Sequence, residues 1–392
     1  MTCTTTAPRP RELPTLTSLR AAAALFVVAY HLSRWGVLPW PADGVGVTGV
    51  TFFFVLSGFL LTWGYRGGLD ARRFYARRLA RVWPAHAVVW CAALLVPITA
   101  HPLTAGSAVT NLLLVQSWAP SLGYVFGANG VAWSLSCEVA FYAVFPFAVA
   151  RMARWGTRTA VRVAAAAFLA ETAVAVAVTV PGTPVWLALA GFSNPLLRLP
   201  EFLLGIAAAL AVRSGWRPSW RALLAALALC LGGLAVLHDR PAPNVWTAPL
   251  YVVLIALAAA RDCSPRRSPL AARPLVYAGK VSFALYLVHE LVIINLRPLL
   301  GTGPLAAAGM VAASAAGAVL LHHAVELPAQ ALLVRRLPAA RGGAPRPRRA
   351  PEEQVVREQP AVPGQRRRGR DAPLVVDLTT PAHRDVEEAP RA

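Results

Sequence analysis

The chain has 392 residues, of which 56% are hydrophobic and only 14% charged, whereas soluble domains average roughly half and a quarter. This excludes an ordinary soluble enzyme and points to a polytopic membrane protein. The formal charge of +20 comes without a soluble fold or a recognition motif for nucleic acid, so no nucleic-acid partner is expected, and arginines placed between apolar spans fit the positive-inside asymmetry of membrane proteins instead.

In chain order, residues 1–14 read as a polar cytoplasmic segment and residues 15–336 as a membrane domain. Residues 337–392, rich in Pro, Arg and Glu, read as a disordered basic cytoplasmic tail. Hydropathy marks about ten spans: 16–34, 47–64, 84–100, 131–150, 160–180, 185–212, 220–238, 244–260, 275–297 and 303–334. The stretch 84–100 is the weakest, and 107–118 can be a further buried segment. Arginines fall on alternate connections: Arg66, Arg72, Arg73, Arg77, Arg78 and Arg81; Arg151, Arg154 and Arg158; Arg213, Arg217 and Arg221; and Arg261, Arg266, Arg267 and Arg273. With Arg9, Arg11, Arg335 and Arg336 on the same side, the expected fold is all-α, with about ten transmembrane helices and both termini cytoplasmic.

The first span carries Arg20 and His31. Ionisable groups at bilayer depth cost about 2.5 kcal/mol or more, so the default reading is a functional site. Eleven residues at about 100° each put both side chains on one helix face, about 16 Å apart along the axis. Next comes Phe52-Phe53-Phe54-Val55-Leu56-Ser57-Gly58-Phe59, where Ser57 and Gly58 suit close helix approach. Arg78 and Arg81 then share a face near the cytoplasmic boundary, where bidentate guanidiniums suit phosphate oxygens; a positive-inside anchor is the plainer reading of the cluster.

Trp133-Ser134-Leu135-Ser136-Cys137-Glu138 follows, with Ser134 and Glu138 four apart. Glu138 is placed to orient or charge-stabilise an imidazole on a neighbouring helix, or to make a structural contact between helices. In Gly279-Lys280-Val281-Ser282, continuing to Tyr286, His289 and Glu290, the side chains of Ser282, Tyr286 and His289 share a face that can line an acceptor pocket. The five cysteines lack paired spacing, so neither a disulfide framework nor a metal site is expected. No Walker loop, Rossmann glycine fingerprint, zincin motif or nucleophile elbow is present in the sequence.

Taken in order, Arg20-x10-His31, Phe53 to Phe59, Phe74-Tyr75 with Arg78-x-x-Arg81, Trp133-Ser-Leu-Ser-x-Glu138, Ser282-x3-Tyr286-x2-His289 and a late Glu326-x-Pro328 resemble the acyltransferase-3 family of membrane O-acyltransferases, over about residues 13–334. The resemblance implies transfer of an acyl group, often acetyl, from acyl-CoA to a hydroxyl of a carbohydrate, glycolipid or glycosylated natural product in a bacterial plasma membrane. Acyl-CoA is then a donor substrate, and no permanently bound cofactor is expected. His31 matches the family's essential histidine, Glu138 its acid, and Arg20, Arg78 and Arg81 its donor-site arginines. Trp133, Ser136, Tyr286 and His289 fall where the acceptor would bind. Cys137 stands where a branched aliphatic residue is commoner. Direct transfer with His31 as base and transfer through an acyl-histidine both remain open. A multi-span secondary transporter or flippase is the alternative class.

Overall fold

The computed structural model describes residues 12–39, 46, 48–96, 103–178, 180–236, 244–264 and 268–335. The expectations for the first eleven residues and for the tail from 337 lie outside these. Among the described residues the secondary structure is helical, without strands. The helices are α1 Pro14–Arg34, α2 Thr48–Gly64, α3 Ala71–Leu95, α4 Ala105–Leu112, α5 Leu122–Val125, α6 Trp133–Trp155 and α7 Thr157–Ala177, then α8 Val185–Ser193, α9 Leu199–Arg213, α10 Trp220–Val236, α11 Asn244–Asp262, α12 Arg273–Leu300, α13 Pro304–Leu321 and α14 Leu327–Arg335.

Six helices of this set are long and apolar enough to cross a bilayer: Pro14–Arg34, Gly130–Trp155, Thr157–Ala177, Asn244–Asp262, Arg273–Leu300 and Pro304–Leu333. Thr48–Gly64 and Trp220–Gly233 are shorter apolar helices.

Two expected spans differ from the structure. The stretch 185–212 is broken into α8 and α9, because Pro195 follows Asn194 and cannot supply the amide that a continuous helix requires there. The stretch 84–100 is the second half of α3, which starts at Ala71 under an Asp70 cap that accepts from the Arg73 amide at 3.1 Å. The helix runs through Pro84, a break that buried neighbours can compensate in a membrane. Its arginine-rich first turns hide this continuity from hydropathy.

Close backbone contacts set the core. Gly58 of α2 abuts the Phe202 carbonyl and Gly205 of α9 abuts the Val55 carbonyl, so a methyl at either site meets main chain. Small residues at such crossings let helix backbones approach where lipid offers no hydrophobic drive. Gly58 therefore does what its motif promised, while Ser57 turns to the cavity described below.

Arg198 and Glu201 meet Thr51 near the start of α2, and Arg213 donates to the Thr62 carbonyl near its end, so α2 and α9 run parallel. Similarly, Thr17 touches Gly279 and His31 touches His289, which makes α1 and α12 parallel. Aromatic side chains from α2, α3, α6 and α9, including Phe54, Phe74, Phe141, Phe145 and Phe202, fill the space between them.

Residues 104–132 form a packed cap between α3 and α12. Buried His86 donates to the Asn111 carbonyl, Asn111 donates to the Gly127 carbonyl at 2.8 Å, and Asn129 donates to the Leu287 carbonyl at 3.1 Å. Leu114 and Ala128 take left-handed backbone angles, φ 59 and 54, which this network holds in place. The segment 107–118, expected as a possible further buried element, is buried on one side only: Asn111, Gln116 and Ser117 are almost fully covered, while Val109, Leu113, Val115 and Trp118 are exposed.

Candidate functional site

A cavity of about 570 Å³ lies between α1, α2, α3, α6 and α12, within the size range of small-molecule sites. Exposed Gly64, Asp70 and Arg77 form its outer end, and Val50, Ser134 and Tyr286 its buried end. Arg20, Arg73, Arg77, Arg78 and Arg81 all line it. The Arg78 guanidinium lies 5.9 Å from the ring centres of both Phe74 and Tyr142. The charges of Arg81, Glu138 and Glu326 act on Arg20. The three arginines singled out for phosphate thus occupy one space.

Glu138 sits in this cavity, where its carboxylate accepts from Tyr142 at 2.6 Å and from Ser57 at 3.3 Å. It is not hydrogen-bonded to an imidazole; of the two roles its position suggested, its bonds show the contact between helices, to Ser57 of α2. The reason is helix rotation: α6 presents Glu138 to α2 and α3, whereas His31 lies further along α1 against α12.

The carboxylate beside His31 belongs to Glu290, whose Oε1 is 3.6 Å from His31 Nε2 and also accepts from Trp35 at 3.3 Å. Gly130 leaves room for this carboxylate, since a side chain there would press on Glu290 Oε2, which has no hydrogen-bond partner in the protein. Glu290 was passed over in the sequence although it directly follows His289; an acid inside an apolar helix was the available signal.

Two carbonyl oxygens fix both histidine tautomers. His289 Nδ1 lies 3.1 Å from the Leu285 carbonyl and His31 Nδ1 lies 2.9 Å from the Val27 carbonyl. A carbonyl only accepts, so each Nδ1 carries its proton and each neutral ring has its lone pair on Nε2. The single proton on His31 Nδ1 is then shared between the Val27 carbonyl at 2.9 Å and His289 Nε2 at 3.1 Å. What remains free is the lone pair on His31 Nε2, held at a fixed angle beside a carboxylate. This arrangement can take a proton, and the resulting imidazolium has Glu290 next to it.

Tyr286 separates the two halves. Its hydroxyl is bonded to Ser134 at 2.7 Å and to the Val131 carbonyl at 3.0 Å, and its ring lies on the cavity wall 5.8 Å from the His289 ring. Tyr286 and His289 are therefore together, as their spacing suggested. Ser282 instead caps back onto the Gly279 carbonyl. Trp133 is packed behind the cavity lining, among Phe54, Phe192 and the Arg198 guanidinium, and Ser136 is buried outside that lining as well.

A second polar cluster went unmarked in the sequence. Buried Arg198 pairs with Glu201 at 3.1 Å and bonds Thr51, while Asn244 donates to Glu171 at 3.0 Å. The signal was a charged pair three residues apart inside the apolar stretch 185–212.

At α13 the helix passes into a π-turn, His322–Glu326, just before Pro328, where His322 holds Glu326 at 2.7 Å. The Glu-x-Pro element thus sets a carboxylate near Arg20.

The profile of a family described as an acyltransferase domain matches residues 13–323. The chain is 35% identical over 395 residues to the acyltransferase MdmB of Streptomyces mycarofaciens, covering 88% of this chain and 98% of that protein. It is 31% identical to the putative peptidoglycan O-acetyltransferase YrhL of Bacillus subtilis, over 74% of this chain and 50% of that one. The peptidoglycan O-acetyltransferase OatA of Listeria monocytogenes is 30% identical over 37% of this chain and 25% of its own length. No solved structure matches the chain.

Proposed function

The chain belongs to the acyltransferase-3 family, and from that premise we propose that it is a membrane O-acyltransferase moving an acyl group, in the first place acetyl, from acyl-CoA to a hydroxyl of a carbohydrate, glycolipid or glycosylated natural product. The observation that carries this reading is the pairing of an arginine-lined cavity with a tautomer-fixed histidine beyond its inner wall.

The donor phosphates rest on Arg78, Arg81 and Arg20. The thioester arm runs inward to the wall where Ser134 and Tyr286 meet, which must part for it to reach His31, about 16 Å from Arg20 along α1. His31 Nε2 accepts the proton of the acceptor hydroxyl as its oxygen attacks the thioester carbonyl. The carbon–sulfur bond breaks, and the departing thiolate takes the proton back as CoA-SH, so the enzyme ends unchanged. Glu290 lies where positive charge develops on the imidazole, and preorganised charge of this kind is the usual source of barrier lowering. His289 acts by holding the tautomer. His289 is on the acceptor side, Tyr286 forms the wall between it and the donor cavity, and Glu138, bonded to Ser57 and Tyr142, adds negative charge to the donor cavity rather than to the base.

Donor binding gives a direct test. Arg78→Ala and Arg81→Ala should each weaken acetyl-CoA affinity by about tenfold or more, since charge-assisted contacts are worth roughly 1.5–3 kcal/mol. Lys should substitute poorly, because one ammonium cannot grip two oxygens. Unchanged affinity and turnover in both alanine variants would remove the donor assignment.

The membrane arrangement proposed has ten crossings with both termini in the cytoplasm, α8 and α9 together making one crossing. The alternating arginine connections support it, as do the parallel runs of α1 with α12 and of α2 with α9. Reporter fusions near residues 70 and 155 should both read cytoplasmic, and an external signal at either would refute this topology. The arginine cavity then opens to the cytoplasm, where acyl-CoA is made.

A further inference from the structure

We propose that Arg73 and Arg77 form a second phosphate subsite at the outer end of the cavity, which grips the 3′-phosphate of the donor's ribose and so selects CoA thioesters over their 3′-dephospho counterparts. The proposal rests on the acyl-CoA reading above and adds to it a specificity element that the family motifs do not include.

Arg73, Arg77 and Arg81 are spaced four apart on α3 and all line the cavity, forming a ladder with rungs about 6 Å apart along the helix. Arg78 lies beside the inner rung. Arg72, in the same run, is exposed and does not line the cavity.

Five guanidiniums therefore face one space, and among the described residues none of them is in an ion pair with a carboxylate. Asp70, the acid nearest in sequence, spends its side chain on the Arg73 backbone amide. Nε of Arg73 and Nε of Arg78 are buried with no hydrogen-bond partner in the protein. Unpaired buried donors on cations are costly, so their presence points to an anion that arrives with the ligand.

Charge matching decides which anion. A diphosphate alone would engage Arg78, Arg81 and Arg20 and leave two cations unused. A phosphate monoester adds about −1.5 to −2 at neutral pH, which matches the two outer rungs. In CoA the diphosphate and the monoester hang from the 5′ and 3′ positions of one ribose, so they lie within a helical turn or two of each other. With the diphosphate on the inner rungs, the 3′-phosphate reaches the outer ones. A lipid headgroup phosphate at the membrane surface has the same chemistry, and the test separates it.

The experiment compares kcat/KM for acetyl-CoA and acetyl-3′-dephospho-CoA in purified wild type, in the Arg73→Gln/Arg77→Gln double variant and in Arg72→Gln, with and without phosphatidylglycerol added to the detergent. Arg77 is exposed and Arg73 half-buried, so the double variant should keep its fold, which its elution volume and melting temperature verify. Wild type and Arg72→Gln should prefer acetyl-CoA by about ten- to a hundredfold. The double variant should lose this preference through a fall in acetyl-CoA use alone, with the dephospho donor used as well as by wild type. Equal use of both thioesters by wild type, or an undiminished preference in the double variant, would overturn this inference and leave the donor reading standing. So would a wild type that shows no preference but responds to phosphatidylglycerol through these two arginines. Use of neither thioester by wild type would overturn the donor reading and this inference with it.

Discussion

His31→Gln should lose turnover by about 10²–10⁴-fold at saturating acyl-CoA, because a positioned general base contributes on that scale. Glutamine keeps a polar group near the Val27 carbonyl and the His289 ring, so local packing should persist, yet it cannot accept a proton. His31→Ala should fall at least as far. Donor affinity should be unchanged in both, since His31 lies outside the arginine cavity; turnover falling without a change in donor affinity is the mark of an interaction used in the transition state. If His31→Gln kept more than about a tenth of wild-type turnover, proton transfer by this residue would not be supplying its share, and the base would have to be sought at His289 or Glu290. His289 has its own lone pair on Nε2, but that atom is already occupied by His31 Nδ1, which is why the structure favours His31.

Much of this arrangement was legible in the chain. Helix periodicity alone put Arg20 and His31 on one face, and the i, i+3 spacing put Arg78 beside Arg81; the structure collects Arg20, Arg78 and Arg81 around one cavity. The two face assignments are properties of single helices, which local spacing determines; the meeting of Arg20 with Arg78 and Arg81 is not. Pairings between helices depend on rotation and register, which spacing along one helix does not carry. Glu138 and Glu290 show the difference: both are acids within apolar helices, and only packing reveals that the first meets Ser57 and Tyr142 while the second meets His31. The cap over 104–132 was hidden for another reason. Its order comes from side-chain amides bonding to distant carbonyls, Asn129 to Leu287 among them, and such contacts leave no periodic trace. The split at Asn194–Pro195 was marked by the proline, but two apolar runs on either side of it read as one hydropathy peak.

Arg198 is a further lesson of the same kind. A charge three residues from an acid inside an apolar stretch can be a site or a brace, and here it bonds Thr51 and Glu201 while its guanidinium lies 5.4 Å from the Phe54 ring centre. It ties α2 to α9 and is not part of the cavity lining. Depth in the membrane therefore marks a charged residue as purposeful, and its neighbours decide the purpose.

Acyl transfer by this chain itself is tested on protein purified in detergent, with no sealed compartment and no ion gradient. Labelled acetyl-CoA is supplied together with an extract of hydroxyl-bearing envelope sugars and small glycosylated metabolites, and both free CoA thiol and labelled acceptor are followed. Wild type should release one thiol for each acyl group that appears on acceptor, while His31→Gln releases neither above background. A wild-type protein that leaves the thioester intact in detergent, and moves a solute only in sealed vesicles under a gradient, would contradict the account and identify a transporter.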